Sequence, residues 1–168
     1  MVPELMARRS APGGTPATVA LTRAGVGFTS HPYDHDPAAE SFGLEAARVL
    51  GVDPGRVFKT LFVSADGRLA VGVVPVSGQL DLKAVAAALG AKKAVMAEPA
   101  AAERASGYVV GGISPVGQRR PHPTVVDESV LAFETVFVSG GRRGLDLELA
   151  PADLLRVTSA TTARIGRS

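Results

Sequence analysis

Cysteine is absent from all 168 residues. Its absence excludes disulfides, thiolate nucleophiles and cysteine-ligated zinc. No uninterrupted apolar run approaches the roughly 20 residues that span a bilayer, although 46% of the chain is hydrophobic. Arg8-Arg9 is followed by Ser-Ala-Pro-Gly-Gly rather than an apolar stretch, so neither a secretory nor a twin-arginine export signal is read there. A soluble, cytoplasmic protein is expected, with no membrane partner. The Gly-Lys-Ser/Thr of a phosphate-binding P-loop is missing, as are the glycine spacing of a dinucleotide fingerprint and the Gly-x-Ser-x-Gly elbow of a serine hydrolase. There are no internal repeats. The net charge of +2 is too small to argue for nucleic acid by itself. Three basic pairs, Lys92-Lys93, Arg119-Arg120 and Arg142-Arg143, lie near predicted turns, where they read as solvated surface or as a weak phosphate-binding rim.

What is present fits one domain with a full core. Residues 1–14 are polar and rich in Pro and Gly, and read as a flexible leader. Thr15-Pro16 opens a helix that ends at Gly25. Val26 to Tyr33 reads as a strand broken by Pro32, and Ser41 to Gly51 as a helix with Leu44, Ala47 and Leu50 on one side. Val57 to Val63 is the strongest strand, returning through Asp66-Gly67 as Arg68 to Val76. Asp81 caps a helix carrying Leu82, Val85, Ala86 and Leu89, and Val95-Met96 forms a brief strand. Pro99 starts an alanine-rich helix ended by Gly107. Thr124 to Val126 and Thr135 to Ser139 are strands. Leu145 to Leu149 is the next, with Asp146 and Glu148 on a wet face. A last helix runs from Pro151 to about Val157, and residues 158–168 read as a polar tail. Helices mixed with adjacent hairpins indicate an α/β domain with a mixed sheet.

Two features carry the candidate chemistry. In Gly107-Tyr-Val-Val-Gly-Gly-Ile-Ser-Pro-Val-Gly117, Tyr108 to Val110 read as the end of a strand. Gly111 and Gly112 then strip the turn of side chains, and Pro115 stiffens the far side of the loop. The working parts of such a loop are its own N–H groups. The second feature is Lys59, which alternation places with Val57, Leu61 and Val63 on an apolar face, opposite Phe58, Thr60 and Phe62. Either its ammonium meets a partner there, or it reaches along its stem to water. His31 and His35 are separated by Pro32, so a helical metal pair is disfavoured, and a hydrogen-bonding loop is the preferred reading of that segment. Ser114 and Ser139 have no base beside them in sequence. Backbone donors, one lysine and scattered hydroxyls suit stabilisation of an oxyanion, with water or the substrate as nucleophile. They equally suit phosphate binding without chemistry.

Taken together, these stretches resemble the YbaK/EbsC family of free-standing aminoacyl-tRNA deacylases. The matching pieces are Thr15-Pro-Ala17, His31-Pro-Tyr-Asp-His-Asp-Pro37, Phe58-Lys-Thr-Leu61, Gly78-Gln-Leu-Asp-Leu-Lys83, Leu89-Gly-Ala-Lys-Lys93, Gly107 to Pro115 and Val138-Ser-Gly-Gly-Arg-Arg-Gly-Leu-Asp146. They occur in the family's order over residues 15–157. The resemblance implies a mixed, barrel-like sheet flanked by helices and related to an editing domain of prolyl-tRNA synthetases. It implies removal of mischarged cysteine from tRNA(Pro), or also from tRNA(Cys), without a cofactor or metal. The substrate's own thiol would attack its ester, formally a lyase reaction with a deacylase outcome. Lys59, Gly111, Gly112 and Ile113 take the catalytic positions. Tyr33, Thr60, Ser114, Pro115, Ser139 and Asp146 take the substrate-binding ones. The aminoacylated tRNA end and prolyl-tRNA synthetase are the implied partners, with a monomer as the default. An alanine-specific hydrolytic editor and a non-catalytic tRNA-end or synthetase-binding module are the alternatives.

Overall fold

Thr15 begins the first helix of the computed structural model, which describes residues 14–168; the expected leader lies outside the described residues but for Gly14. The Thr15 hydroxyl accepts from the Thr18 N–H while the Thr18 hydroxyl accepts from the Thr15 N–H, so two otherwise orphaned donors of α1 (Pro16–Arg23) are satisfied reciprocally. The Val26 N–H closes back on the Leu21 carbonyl at the helix exit, which delays β1 to Thr29–Pro32. Ser41 caps α2 (Phe42–Leu50), and Gly51 ends it at φ +69°. The face of α2 differs from the expected one. Glu45, Ala46 and Ala47 are buried and Leu44 is exposed. Glu45 is drawn inward because it accepts from the Asp36 N–H and bonds His35 at 2.8 Å.

The hairpin of β2 (Phe58–Ala65) and β3 (Arg68–Pro75) is the centre of a five-stranded sheet in the order β5-β2-β3-β6-β9. Here β5 is Ala94–Met96, β6 is Thr124–Asp127 and β9 is Thr161–Ala163. The β3–β6 and β6–β9 pairings are parallel, and those of β2 with β3 and β5 are antiparallel. β4 (Gln79–Leu80) leads into α3 (Leu82–Ala88), and α4 (Pro99–Ser106) comes after β5. A second sheet, β1-β8-β7, combines β7 (Val136–Arg142) with β8 (Leu145–Leu149), which leads into α5 (Pro151–Thr158).

The expected polar tail is structured. Beyond β9, β10 (Gly166–Arg167) pairs with β4, and Ile165 between them is fully buried. The Asp127 carboxylate turns the chain there by accepting from the N–H groups of Ile165 and Gly166 at 3.0 and 2.8 Å. β9 and β10, three and two residues long, carry no apolar alternation that would announce them.

Apolar side chains of both sheets meet in one core. It sets Phe58, Phe62, Val71 and Val73 against Val138, Leu145, Leu147 and Leu149, with α1, α4 and α5 packed around it. The other face of the larger sheet is covered by α3 and Ile165. The α/β class with a mixed sheet is as expected, but the sheets do not close into a barrel. A single parallel bridge, Val57 to Phe137, joins them. Past that bridge they diverge and leave a gap.

Candidate active site

The gap opens along one edge of β2. The Val76 N–H donates to the Val57 carbonyl at 2.8 Å, so odd-numbered residues of β2 bond toward β3. Even-numbered residues therefore face away, and the Ala97 N–H accordingly reaches the Phe62 carbonyl at 3.1 Å. Pairing with β5 starts only at Val63, and the bridge to β7 is at Val57. Between those points the N–H and C=O of Thr60 leave the strand with no partner strand among the described residues. Among the described residues the buried Thr60 hydroxyl has no hydrogen-bond partner either.

The glycine loop forms the facing wall. It leaves α4 through Gly107 at φ +82°. Tyr108 to Val110 are a turn and not the end of a strand, because local side chains take their backbone donors. The Tyr108 N–H donates to the Ser106 hydroxyl at 3.1 Å, and the Val110 N–H to Glu103 Oε2 at 2.8 Å. Tyr108 is buried, and its hydroxyl donates to the Val116 carbonyl at 2.6 Å. The two glycines do different things. The N–H of Gly112 closes the turn on the Val109 carbonyl at 2.9 Å, so it is not free for a ligand. A Cβ on Gly112 would lie 2.7 Å from Arg142 Cα, so that residue permits close packing of two main chains. Gly111 has φ +91°. Among the described residues neither its N–H nor that of Ile113 has an acceptor. Gly112→Ala should therefore cost about 1–3 kcal/mol of stability by overpacking, seen as a lower Tm, and should lower activity only as the loop is displaced.

The cleft between these walls has a volume of about 370 Å³. Tyr33, Lys59, Thr60, Ser139 and Asp146 give it a polar end, Phe62, Met96, Ala97, Pro99 and Ala102 an apolar one, and Gly111 and Ile113 border it. Of the ten site residues expected from sequence, seven line this space. Gly112, Ser114 and Pro115 are buried within the loop instead. The Ser114 side chain is turned to its own backbone, accepting from the Val116 N–H at 3.2 Å.

Burial sets the electrostatics. Lys59 is in no ion pair among the described residues, and desolvation holds its pKa below the ordinary lysine value. Asp146 is buried rather than on a wet face, and desolvation pushes its carboxyl up to about 7. Its position is set by register: it lies opposite Ser139 on β7, just before the irregular pairing that reaches Arg142. Burial and then the nearby Asp146 and Glu45 carboxylates push the Tyr33 hydroxyl up to about 12, so it stays a neutral donor.

None of the histidines activates a serine. His31 bonds Glu148 at 2.9 Å, His35 bonds Glu45 at 2.8 Å, and His122 bonds Gln118 at 3.1 Å. Ser139 Oγ accepts from the Gly141 N–H at 3.2 Å. No group of three or more His, Asp or Glu side chains among the described residues is arranged to hold a metal ion.

Two site components escape sequence reasoning. The open edge at Thr60 exists only because the pairing of β2 with β5 and its bridge to β7 both stop short of it. The other is Arg143, read as half of a surface pair. It grips the Val110 carbonyl with Nε at 2.9 Å and Nη2 at 2.7 Å, and its guanidinium lies 4.9 Å from the Phe42 ring centroid. Thr15-Pro-Ala17 also finds its reason here. The Thr15 hydroxyl donates to the Gly140 carbonyl, and Gly117 packs so close to Pro16 that a Cβ would sit 2.5 Å from its carbonyl oxygen. One helix start thus anchors both loops beside the cleft.

Fold and cleft define a small α/β domain with a largely apolar pocket bordered by Gly111 and Ile113. The chain belongs to the aminoacyl-tRNA editing domain family, whose model matches residues 36–157. It is 39% identical over 120 residues to the "Putative Cys-tRNA(Pro)/Cys-tRNA(Cys) deacylase EbsC" of Enterococcus faecalis, covering 71% of this chain and 73% of that protein. It is 36% identical over 73 residues to the proline–tRNA ligase of Moorella thermoacetica, a match spanning 44% of this chain and 13% of the ligase. Its fold superimposes with a TM-score of 0.80 and 26% identity on the crystal structure of "a putative trans-editing enzyme for prolyl tRNA synthetase", covering 91% of this chain and 96% of that one.

Proposed function

We propose that this protein is a trans-editing deacylase that clears cysteine from Cys-tRNA(Pro). The observation that carries the reading is the pairing, in one cleft, of an ammonium that has no counter-ion among the described residues with two main-chain donors that have no acceptors there, Gly111 and Ile113. Lys59 meets phosphate or ribose oxygens of the terminal adenosine. The Gly111 and Ile113 N–H groups face the ester carbonyl and stabilise the oxyanion that develops on it. The Thr60 carbonyl and the buried Asp146 carboxyl offer acceptors to the α-amino group.

The described residues supply no activated nucleophile, and the chain has no thiol. The substrate's cysteine sulfur then attacks its own carbonyl carbon, forming the C–S bond of a cyclic thioester while the ester C–O bond breaks. The thiol's proton ends on the released ribose hydroxyl, directly or through the neighbouring 2′/3′-hydroxyl. Discrimination is chemical, since small differences in side-chain size are worth only about 1–3 kcal/mol in binding. Proline has no thiol and is spared. Prolyl-tRNA synthetase supplies the choice of tRNA.

The test is a deacylation time course with purified protein on Cys-, Ala- and Pro-tRNA(Pro), with the released product identified by mass. Thiolactone, or cysteine derived from it, from the first substrate and intact ester on the others is the expected result. Fast release of alanine without thiolactone makes the protein a hydrolytic alanine editor, and no release at all makes it a binding module. Gly111→Ala should lower kcat more than tRNA affinity, because alanine is strained at φ +91° and its Cβ would meet the Arg143 and Phe42 side chains at 2.8–2.9 Å, so the peptide or the side chains beside it must shift. A change in affinity alone would make the loop a binding feature only.

A further inference from the structure

The Val110–Gly111 peptide is held from outside the cleft. Two N–H groups of one guanidinium converge on the Val110 carbonyl oxygen, from Arg143 Nε and Nη2 at 2.9 and 2.7 Å. The carbonyl and the Gly111 N–H belong to the same planar trans peptide and point in opposite directions. Fixing the oxygen on the Arg143 side therefore fixes the N–H on the other. The guanidinium is itself held over Phe42 at 4.9 Å. Phe42 lies 5.5 Å from the His35 ring, and the buried Glu45 holds that ring through Nδ1 at 2.8 Å. The preceding peptide is pinned by a group of opposite charge, since Glu103 Oε2 accepts from the Val110 N–H at 2.8 Å.

We propose that Arg143 is a positioning residue for the oxyanion donor: through the Val110 carbonyl it orients and polarises the Gly111 N–H that faces the ester. The proposal rests on the reading of this cleft as a deacylation site. A cation on the carbonyl withdraws electron density through the amide and makes the attached N–H a stronger donor. Lysine could not replace it, because one ammonium offers neither the two-pronged contact nor the flat face that stacks on Phe42. Arg143 itself is exposed and does not line the cleft, so its effect passes through the peptide it holds.

The experiment compares Arg143→Ala and Arg143→Lys with the unaltered protein by steady-state deacylation and by the amide NMR signal of Gly111. In Arg143→Ala, kcat should fall roughly 10- to 100-fold, as expected for a slightly misplaced catalytic group, with KM nearly unchanged and the melting curve retained. Millimolar guanidinium chloride, far below denaturing levels, should restore part of that loss in Arg143→Ala and none in Arg143→Lys. The Gly111 amide proton should move upfield in both variants. A raised KM with unchanged kcat and a shallower salt dependence would instead make Arg143 a phosphate contact, overturning the proposal. Unaltered kinetics together with an unaltered Gly111 signal would also overturn it. If the unaltered protein releases no amino acid, the deacylase reading fails, and the Gly111 signal alone decides whether Arg143 positions that amide.

Discussion

Lys59→Met is expected to leave a folded protein whose kcat/KM on Cys-tRNA(Pro) is about 100-fold lower. A charge-assisted hydrogen bond contributes about 1.5–3 kcal/mol, which is roughly a 10- to 150-fold effect. The upper part of that range applies because the cleft is largely apolar and Lys59 has no competing counter-ion in it among the described residues. Stability should move the other way. A lysine whose pKa falls on folding binds its proton less tightly in the native state, so it subtracts from stability at every pH below its folded pKa. An isosteric apolar chain removes that penalty, and Tm should hold or rise. Rate loss with retained Tm separates a functional cation from a structural one. Unchanged turnover would remove Lys59 from the mechanism, and a collapsed melting curve would make it structural.

How far these features can be read from sequence depends on whether the determining contacts are local. Thr15-Pro16, Ser41, Asp81, Pro99 and Pro151 announce helix starts because capping and the fixed φ of proline act within one turn. The β2–β3 hairpin is legible for the same reason, from Asp66-Gly67 between alternating runs. Where a residue's environment comes from another element, periodicity misleads. Asp146 alternates with Leu145 and Leu147 as a solvent-facing residue would, yet the smaller sheet turns that face into the cleft. Leu44 has the spacing of a core residue, but the His35–Glu45 contact rotates α2 and exposes it. Tyr108 and Val110 carry a strand's composition, and Glu103, Ser106 and Val116 claim them for a turn. Lys59 is recognisable in sequence as misplaced, and the diglycine as a backbone-working loop. That they border one cavity depends on the pairing of β2 with β5 and its bridge to β7 ending on either side of Thr60, which is a property of the assembled sheets.

The second large effect belongs to Asp146. Its carboxyl is raised from 3.8 to about 7 by burial, so the folded protein binds this proton more tightly than the unfolded chain does. The resulting stabilisation is fully present below the unfolded pKa and is lost as pH rises through about 7. At roughly 1.4 kcal/mol per unit, a shift of this size corresponds to no more than about 4.5 kcal/mol. Glu45 acts with the opposite sign. Burial raises its pKa, but the Asp36 N–H and His35 more than offset that and hold it below the usual range, so its contribution is lost as pH falls through the folded value. Stability should therefore fall between about pH 5 and 7 in the unaltered protein. Asp146→Asn should flatten that limb and raise Tm at pH 8, where the native side chain is an ionised carboxylate without a hydrogen-bonded partner among the described residues. Activity gives the complementary result. If the ionised form receives the substrate's α-ammonium, deacylation by the unaltered protein should rise with an apparent pKa near 7, and binding of the cation should draw that value down. The asparagine variant should be slow and lack this limb. A pH–rate profile unchanged by the substitution would show that Asp146 only fills space beside Ser139, and an unchanged pH dependence of Tm would show that its proton is not held by the fold.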